Sequence, residues 1–312
     1  MSPRKFLIPR RKFLAGGASA LALAGLPRVP AVAKAPSLPY VVIGDWGRNG
    51  ADDQHEVGVQ LGKTAEKIGS HFTISVGDNF YEDGVAGVND PQWRSSFEDI
   101  YAAPSLMKPW NIILGNHDYR GNVEAQFAYS AVSPRWRLPS RYYKKTEALG
   151  GGVSADYFYL DTSPFVTTYR NSKVKIDGQQ TAPQLAWLDE ELGRSRAAWK
   201  IVIGHHPVYT VTGNEQNYRR TDYAAEADSR SASRACLCQR AYPQSAASDR
   251  RRRALHHDRR RLADAARAAA GSGQFTSDSH GFMTVEHSAD AFRFAFLDEA
   301  GKELYRTAIA RG

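Results

Sequence analysis

Phe72-Thr-Ile-Ser-Val-Gly-Asp78 sets an apolar, β-type run against a glycine and then a residue able to bind a metal, and three other stretches repeat the arrangement. They are Tyr40-Val-Val-Ile-Gly-Asp45, Trp110-Asn-Ile-Ile-Leu-Gly-Asn116 and Lys200-Ile-Val-Ile-Gly-His205. Short continuous apolar runs read as strands buried on both faces. Glycine at the exit permits a sharp turn, which presents the next side chain at the carboxyl edge of a sheet. Four such exits bring Asp45, Asp78, Asn116 and His205 to one rim, and Tyr81, three residues after Asp78, adds a phenol. Hard oxygens with some imidazole suit iron, manganese or zinc. Each piece alone has an ordinary structural role: a helix N-cap for Asp, a turn for Asn116, core or rim for Tyr81, a loop for His205-His206-Pro207. Four compatible exits in one chain predict a metal site.

The motifs Gly44-Asp-Trp-Gly47, Gly77-Asp-Asn-Phe-Tyr81, Gly115-Asn-His-Asp118 and Gly204-His-His-Pro207 resemble the ordered motifs of the metallophosphoesterases. The Asp-x-x-Tyr spacing is similar to that of the purple acid phosphatase branch, the small tartrate-resistant type. The resemblance runs from about Tyr40 to Tyr209 and resumes near Phe282. It implies an α/β fold, a four-layer α/β/β/α sandwich of two mixed sheets, with a dinuclear site at one edge. It assigns Asp45 and Tyr81 to a first metal, usually Fe(III), and makes Asp78 the bridge. Asn116 and His205 would bind the second, a divalent Fe, Zn or Mn ion. His117 would be the catalytic residue, holding the phosphate and protonating the leaving oxygen. The implied chemistry is two-metal hydrolysis of a small phosphorylated substrate, a phosphate monoester at acid pH. A phosphodiesterase or nucleotide hydrolase on the same scaffold is the alternative, and a degenerate phosphate- or metal-binding protein the non-enzyme one.

One element of that family pattern is missing. A Gly-His-x-His sequence, a few dozen residues after Gly-His-His-Pro, would complete both metal sites, and this chain has none. His256-His257 is the nearest candidate, but adjacent residues on a strand point to opposite faces. Asn214 stands where the family usually has a further His. The surrounding segment, about 212–280, is anomalous: Thr212 to Thr284 contains no Val or Ile, and Glu215 to Ala270 no Gly. Arg and Ala dominate it, with Arg250-Arg-Arg-Arg253 and Arg259-Arg-Arg261, so a buried ligand-bearing strand is not expected there. Three readings account for it: a coding sequence read out of frame, a genuine replacement in a degenerate relative, or a basic arm. Composition favours the first.

The formal charge of +8 is local. Residues 1–33 carry six basic side chains and no acid, and 217–268 carry thirteen arginines against six acids. The rest of the chain therefore nets to −5, and nucleic acid is not an expected partner. Residues 1–33 read as a signal peptide. Pro9-Arg10-Arg11-Lys12-Phe13-Leu14 resembles a twin-arginine motif, followed by the apolar stretch Ala15–Leu26 and the cleavage site Ala31-Val-Ala33. The stretch is too short and too rich in Gly and Ala for a membrane anchor. The expected partner is the twin-arginine export machinery, the expected location periplasmic or secreted, and the mature domain 34–312. Cys236 and Cys238, one residue apart, suit neither a disulfide with each other nor a zinc pattern.

Helical spacing marks Asp53–Gly69, Gln92–Tyr101 and Ala182–Arg194. Strands are expected at 156–161, 165–169, 281–286 and 291–297, the last forming a hairpin with 303–308. Residues 119–150 read as a loop-rich aromatic and basic segment.

Overall fold

The computed structural model describes residues 36–206, 234–238, 275, 277 and 279–311, with backbone alone at 234–238. The expected signal peptide, Asn214, both arginine runs and His256-His257 lie outside the described residues, as do the side chains of Cys236 and Cys238.

In chain order the elements are β1 (Ser37–Ile43), α1 (Gln54–Ile68), β2 (Thr73–Ser75), β3 (Trp110–Ile112), α2 (Val123–Tyr129), β4 (Trp136–Arg137), β5 (Tyr143–Gly150), β6 (Val153–Tyr159), α3 (Ala182–Arg194), β7 (Trp199–Gly204), β8 (Arg234–Cys238), β9 (Gly281–Ser288), β10 (Ala291–Asp298) and β11 (Glu303–Ala310). Two mixed sheets result. One has seven strands in the order β11-β10-β9-β1-β2-β3-β4, the other four in the order β5-β6-β7-β8. Strands β1 to β4 run parallel, while β9 is antiparallel to β1 and continues as the meander to β11.

Alternation along the strands explains the layering. On β6 and β7, Tyr157, Tyr159, Ile201 and Ile203 join the core shared with β1, while Phe158 and Val202 pack with Leu188 and Leu192 of α3. Tyr40 of β1 meets Tyr157 edge-on with ring centroids 5.9 Å apart, and the Tyr143 hydroxyl donates across the interface to the Ile112 carbonyl at 2.8 Å. Helix α1 contributes Val57, Leu61 and Ala65 at i, i+4 spacing to that core, and Gly69 closes it in the left-handed conformation. The four layers are thus α1, seven strands, four strands and α3. Among the described residues no helix is long and apolar enough to cross a membrane.

Two local expectations are corrected. Residues 119–150 contain α2, β4 and the eight-residue β5 rather than mostly loop. The alternation of β5 is disguised because two less exposed positions are a charged pair, Lys145 and Glu147, 3.3 Å apart. Residues 165–169 form 3₁₀ turns, not a strand, since Pro164 removes a ladder donor and opens the first turn. Within the arginine-rich segment β8 pairs in parallel with β7, from Lys200↔Arg234 to Gly204↔Cys238, where Ala235 to Cys238 interrupt the basic composition; the expectation that no buried ligand-bearing strand forms there concerns side chains outside the described residues.

Candidate metal centre

Strands β1, β2, β3 and β7 end at one place. The backbone N–H of Asp45 donates to the Gly77 carbonyl at 3.0 Å, tying the first two exits together. Glycine is required where they crowd. A methyl group on Gly77 (φ +92°) would lie 2.8 Å from the Gly115 nitrogen and 2.9 Å from His205 Nδ1, and one on Gly115 would lie 2.2 Å from the Asp78 carboxylate. Asp45 and Asp78 themselves hold left-handed backbone, with φ of 59° and 50°.

The side chains converge. Tyr81 Oη donates to Asp45 Oδ1 at 2.8 Å and lies 2.9 Å from Asp78 Oδ2. His205 Nε2 sits 3.4 Å from Asp78 Oδ1, and ligand atoms of Asp45, Asp78 and His205 all lie within 4.8 Å of one another. His205 Nδ1 donates to the Val76 carbonyl at 2.8 Å, so Nε2 is the nitrogen aimed into the cluster. Nε2 is buried without a hydrogen bond of good geometry.

The electrostatics ask for a cation. Burial opposes ionisation of Asp78, but His205 and then His117 outweigh it and hold its carboxyl well below the usual range. Burial likewise opposes charge on His205, yet Asp78 pushes its imidazole up to about 9. Burial and the two carboxylates push the Tyr81 phenol far up. A proton on His205 therefore plays the electrostatic part that a metal would take. Two carboxylates, a phenol and an imidazole nitrogen form a donor set that fits a hard or borderline cation.

His117 and Asn116 stand beside this cluster. The His117 backbone N–H donates to Asp78 Oδ1 at 2.7 Å, its Nε2 is 3.9 Å from Asp78 Oδ2, and its ring packs 4.2 Å from that of Tyr81. Desolvation lowers its pKa below the ordinary histidine value despite Asp78. Asn116 is buried, and its Oδ1 accepts a hydrogen bond from Tyr169 Oη at 3.1 Å.

Other residues of the site escaped the sequence reading. Asp118, fully buried, accepts from the backbone N–H groups of Gly115 (2.8 Å) and Asn79 (3.0 Å) and from Gln126 Nε2 (2.9 Å), which locks the exits of β2 and β3 together. Burial, reinforced by Asp78, pushes its carboxyl up to about 7. Arg48 lies 3.7 Å over the Tyr81 ring. Tyr169, His206 and Thr162 form a chain leading to Asn116. The signals available for these were the doubled histidine of Gly204-His-His-Pro207 and the closing aspartate of Gly115-Asn-His-Asp118, whose roles the sequence left unassigned.

Residues 38–234 match the Metallophos family, the calcineurin-like phosphoesterases. Purple acid phosphatase 7 of Arabidopsis thaliana is 44% identical over 184 residues, covering 56% of this chain and 55% of that protein. Tartrate-resistant acid phosphatase type 5 of Homo sapiens is 37% identical over 191 residues, covering 56% and 58%. The chain spans about half the length of the curated relatives it matches. Among solved structures, GAP50, the anchor in the inner membrane complex of Plasmodium, superposes with a TM-score of 0.65 at 20% identity, over 89% of this chain and 90% of that one. A dimetal phosphatase from Danio rerio gives 0.52 at 11% identity, over 89% and 100%. At such identities the structural likeness speaks for the fold alone.

Proposed function

Because this chain belongs to the calcineurin-like phosphoesterases, on their purple acid phosphatase branch, we propose that it is a metal-dependent hydrolase of phosphate monoesters. The observation that carries this is the convergence of Tyr81 Oη, Asp45, Asp78 and His205 Nε2 in one buried cluster. Asp45, Tyr81 and Asp78 would hold one ion, Fe(III) by family likeness, while Asp78, Asn116 and His205 would hold a divalent Fe, Zn or Mn ion. Bound there, the ions would acidify a water and neutralise charge on the phosphoryl oxygens.

The chain's own residues do the rest. The Tyr81 phenol, whose proton lies between the Asp45 and Asp78 carboxylates, would serve a strongly charged cation as a phenolate oxygen, and the Asp78 carboxylate has two oxygens that could be shared between the two ions. His117 donates from Nδ1 to the Glu82 carbonyl, so Nε2 is the nitrogen facing the site, and it holds a proton toward the leaving oxygen only when the ring is the imidazolium, which acid pH favours.

The absent Gly-His-x-His takes one imidazole from each ion, so the chain as written should hold its ions weakly. Elemental analysis after dialysis is expected to give fewer than two metals per chain. Two tightly held ions with a visible tyrosinate–iron band would overturn that expectation. Turnover of a phosphate monoester against a diester, with iron and a divalent ion supplied, tests the function. Faster diester cleavage favours the phosphodiesterase reading, and phosphate binding without turnover the non-catalytic one.

Residues 1–33 we read as a twin-arginine leader. Expressing the full chain should give a periplasmic or secreted product beginning at Lys34, and a cytoplasmic product retaining Met1 would refute this.

A further inference from the structure

An asparagine can ligate a cation only through its oxygen, yet its amide oxygen and nitrogen have nearly the same shape. Something must therefore decide which of the two Asn116 presents. The atom in contact with its Oδ1 is Tyr169 Oη at 3.1 Å, but a lone hydroxyl cannot make the choice, since it can donate to an oxygen or accept from an NH₂. The choice is made further back. Tyr169 Oη is also 3.1 Å from His206 Nε2, and His206 Nδ1 is 2.7 Å from Thr162 Oγ1. Thr162 and His206 are buried, and Thr162 Oγ1 accepts the His206 backbone N–H at 3.1 Å.

The proton order follows from the buried end. The Thr162 hydroxyl must place its own proton, because a buried O–H left without an acceptor has lost its water and gained nothing in return. The acceptor in reach is His206 Nδ1. A neutral ring that accepts at Nδ1 carries its proton at Nε2, and that N–H donates to Tyr169 Oη. Tyr169 then has its proton free to donate, and it donates to Asn116 Oδ1. Reversing the order would present a lone pair to Asn116, draw its NH₂ to Tyr169 and turn the amide over.

We infer that Tyr169 is a positioning residue for the second metal position, and that Thr162 and His206 set the polarity through which it fixes the Asn116 amide. The inference rests on the metal-centre reading above. An amide oxygen has two lone pairs, so the Tyr169 bond and a cation can share it. Partners of this kind typically change metal affinity by about 10–100-fold.

The test is calorimetric titration of Zn²⁺ into the full-length protein and its Tyr169→Phe variant, each also carrying Asn116→Asp. A carboxylate offers the same oxygen whichever way it turns, so it needs no orientation. Tyr169→Phe is expected to weaken Zn²⁺ binding about tenfold in the native background and less than about threefold in the Asn116→Asp background. An unchanged affinity in the native background overturns the inference, and so does a tenfold loss in both, which would mark Tyr169 as generally structural. Thr162→Val removes the donor at the start of the chain, is expected to act in the same direction, and decides the matter if Tyr169→Phe folds poorly. Native protein that takes up no Zn²⁺ at all overturns the metal-centre reading and this inference together. Normal native uptake with an indifferent Tyr169→Phe overturns this inference alone.

Discussion

Asp118 shows how much of the site depends on a residue that is not itself an expected ligand. It gathers donors from Gly115, Asn79 and Gln126. Asp118→Asn would aim an NH₂ at one of these donors, and we expect a loss of about 1–3 kcal/mol in chemical denaturation together with weaker metal uptake. Wild-type stability in that variant would show that the network is incidental. His117→Ala should behave differently, lowering kcat on the order of 10²–10⁴-fold with metal content unchanged. A fall in metal content of the same size would instead make His117 a support for Asp78. The convergence of Asp45, Asp78 and His205 was legible because strand, glycine and polar residue are neighbours in the chain. Asp118 and Tyr169 were not, because what they do is set by partners such as Asn79 and Asn116, 39 and 53 residues away.

Strand β9 carries a buried histidine of another kind. His287 sits against Trp199 and Phe292, with Tyr157 Oη 2.7 Å from its Nδ1. Desolvation lowers its pKa to about 4. A depressed folded value means that the unfolded chain binds the extra proton first, so this contribution is complete above about pH 6.5 and is lost as the pH falls toward 4. The loss amounts to about 3 kcal/mol at most. Denaturant unfolding at pH 7 and pH 4.5 should therefore show a shallower pH dependence in His287→Gln than in the native chain, and equal slopes would refute the assignment. Where β2 meets β3, Gly115→Ala should fail to fold or lose metal uptake, since its methyl would overlap Asp78. The ends of α1 and α3 were readable from spacing alone. Strand β5 was not, because Lys145 and Glu147 occupy positions where a half-buried strand ordinarily places apolar residues.

At the scale of the molecule, the sandwich was legible from its motifs, while the segment after His206 was not. Resequencing the coding DNA across codons 205–285 should reveal a second frame that supplies Val, Ile, Gly and a Gly-His-x-His. If no frame does, the segment is authentic and the weak-metal expectation stands as a property of the native protein. The left-handed backbone at Asp45 and Asp78 bears on the same question. Holding a non-glycine residue there costs on the order of 1 kcal/mol at each position. Glycine would relieve that strain, and one base change turns either aspartate codon into a glycine codon. What each side chain holds decides whether that relief is realised: Asp45→Gly leaves Tyr81 its bond to Asp78, whereas Asp78→Gly strands the His117 N–H and the buried His205 imidazole at about 1–3 kcal/mol each. A laboratory evolution campaign that rewards only heat resistance should therefore find Asp45→Gly early and Asp78→Gly only alongside replacement of His205, and Asp45 serves as a gauge of whether a descendant of this chain is still kept for its chemistry.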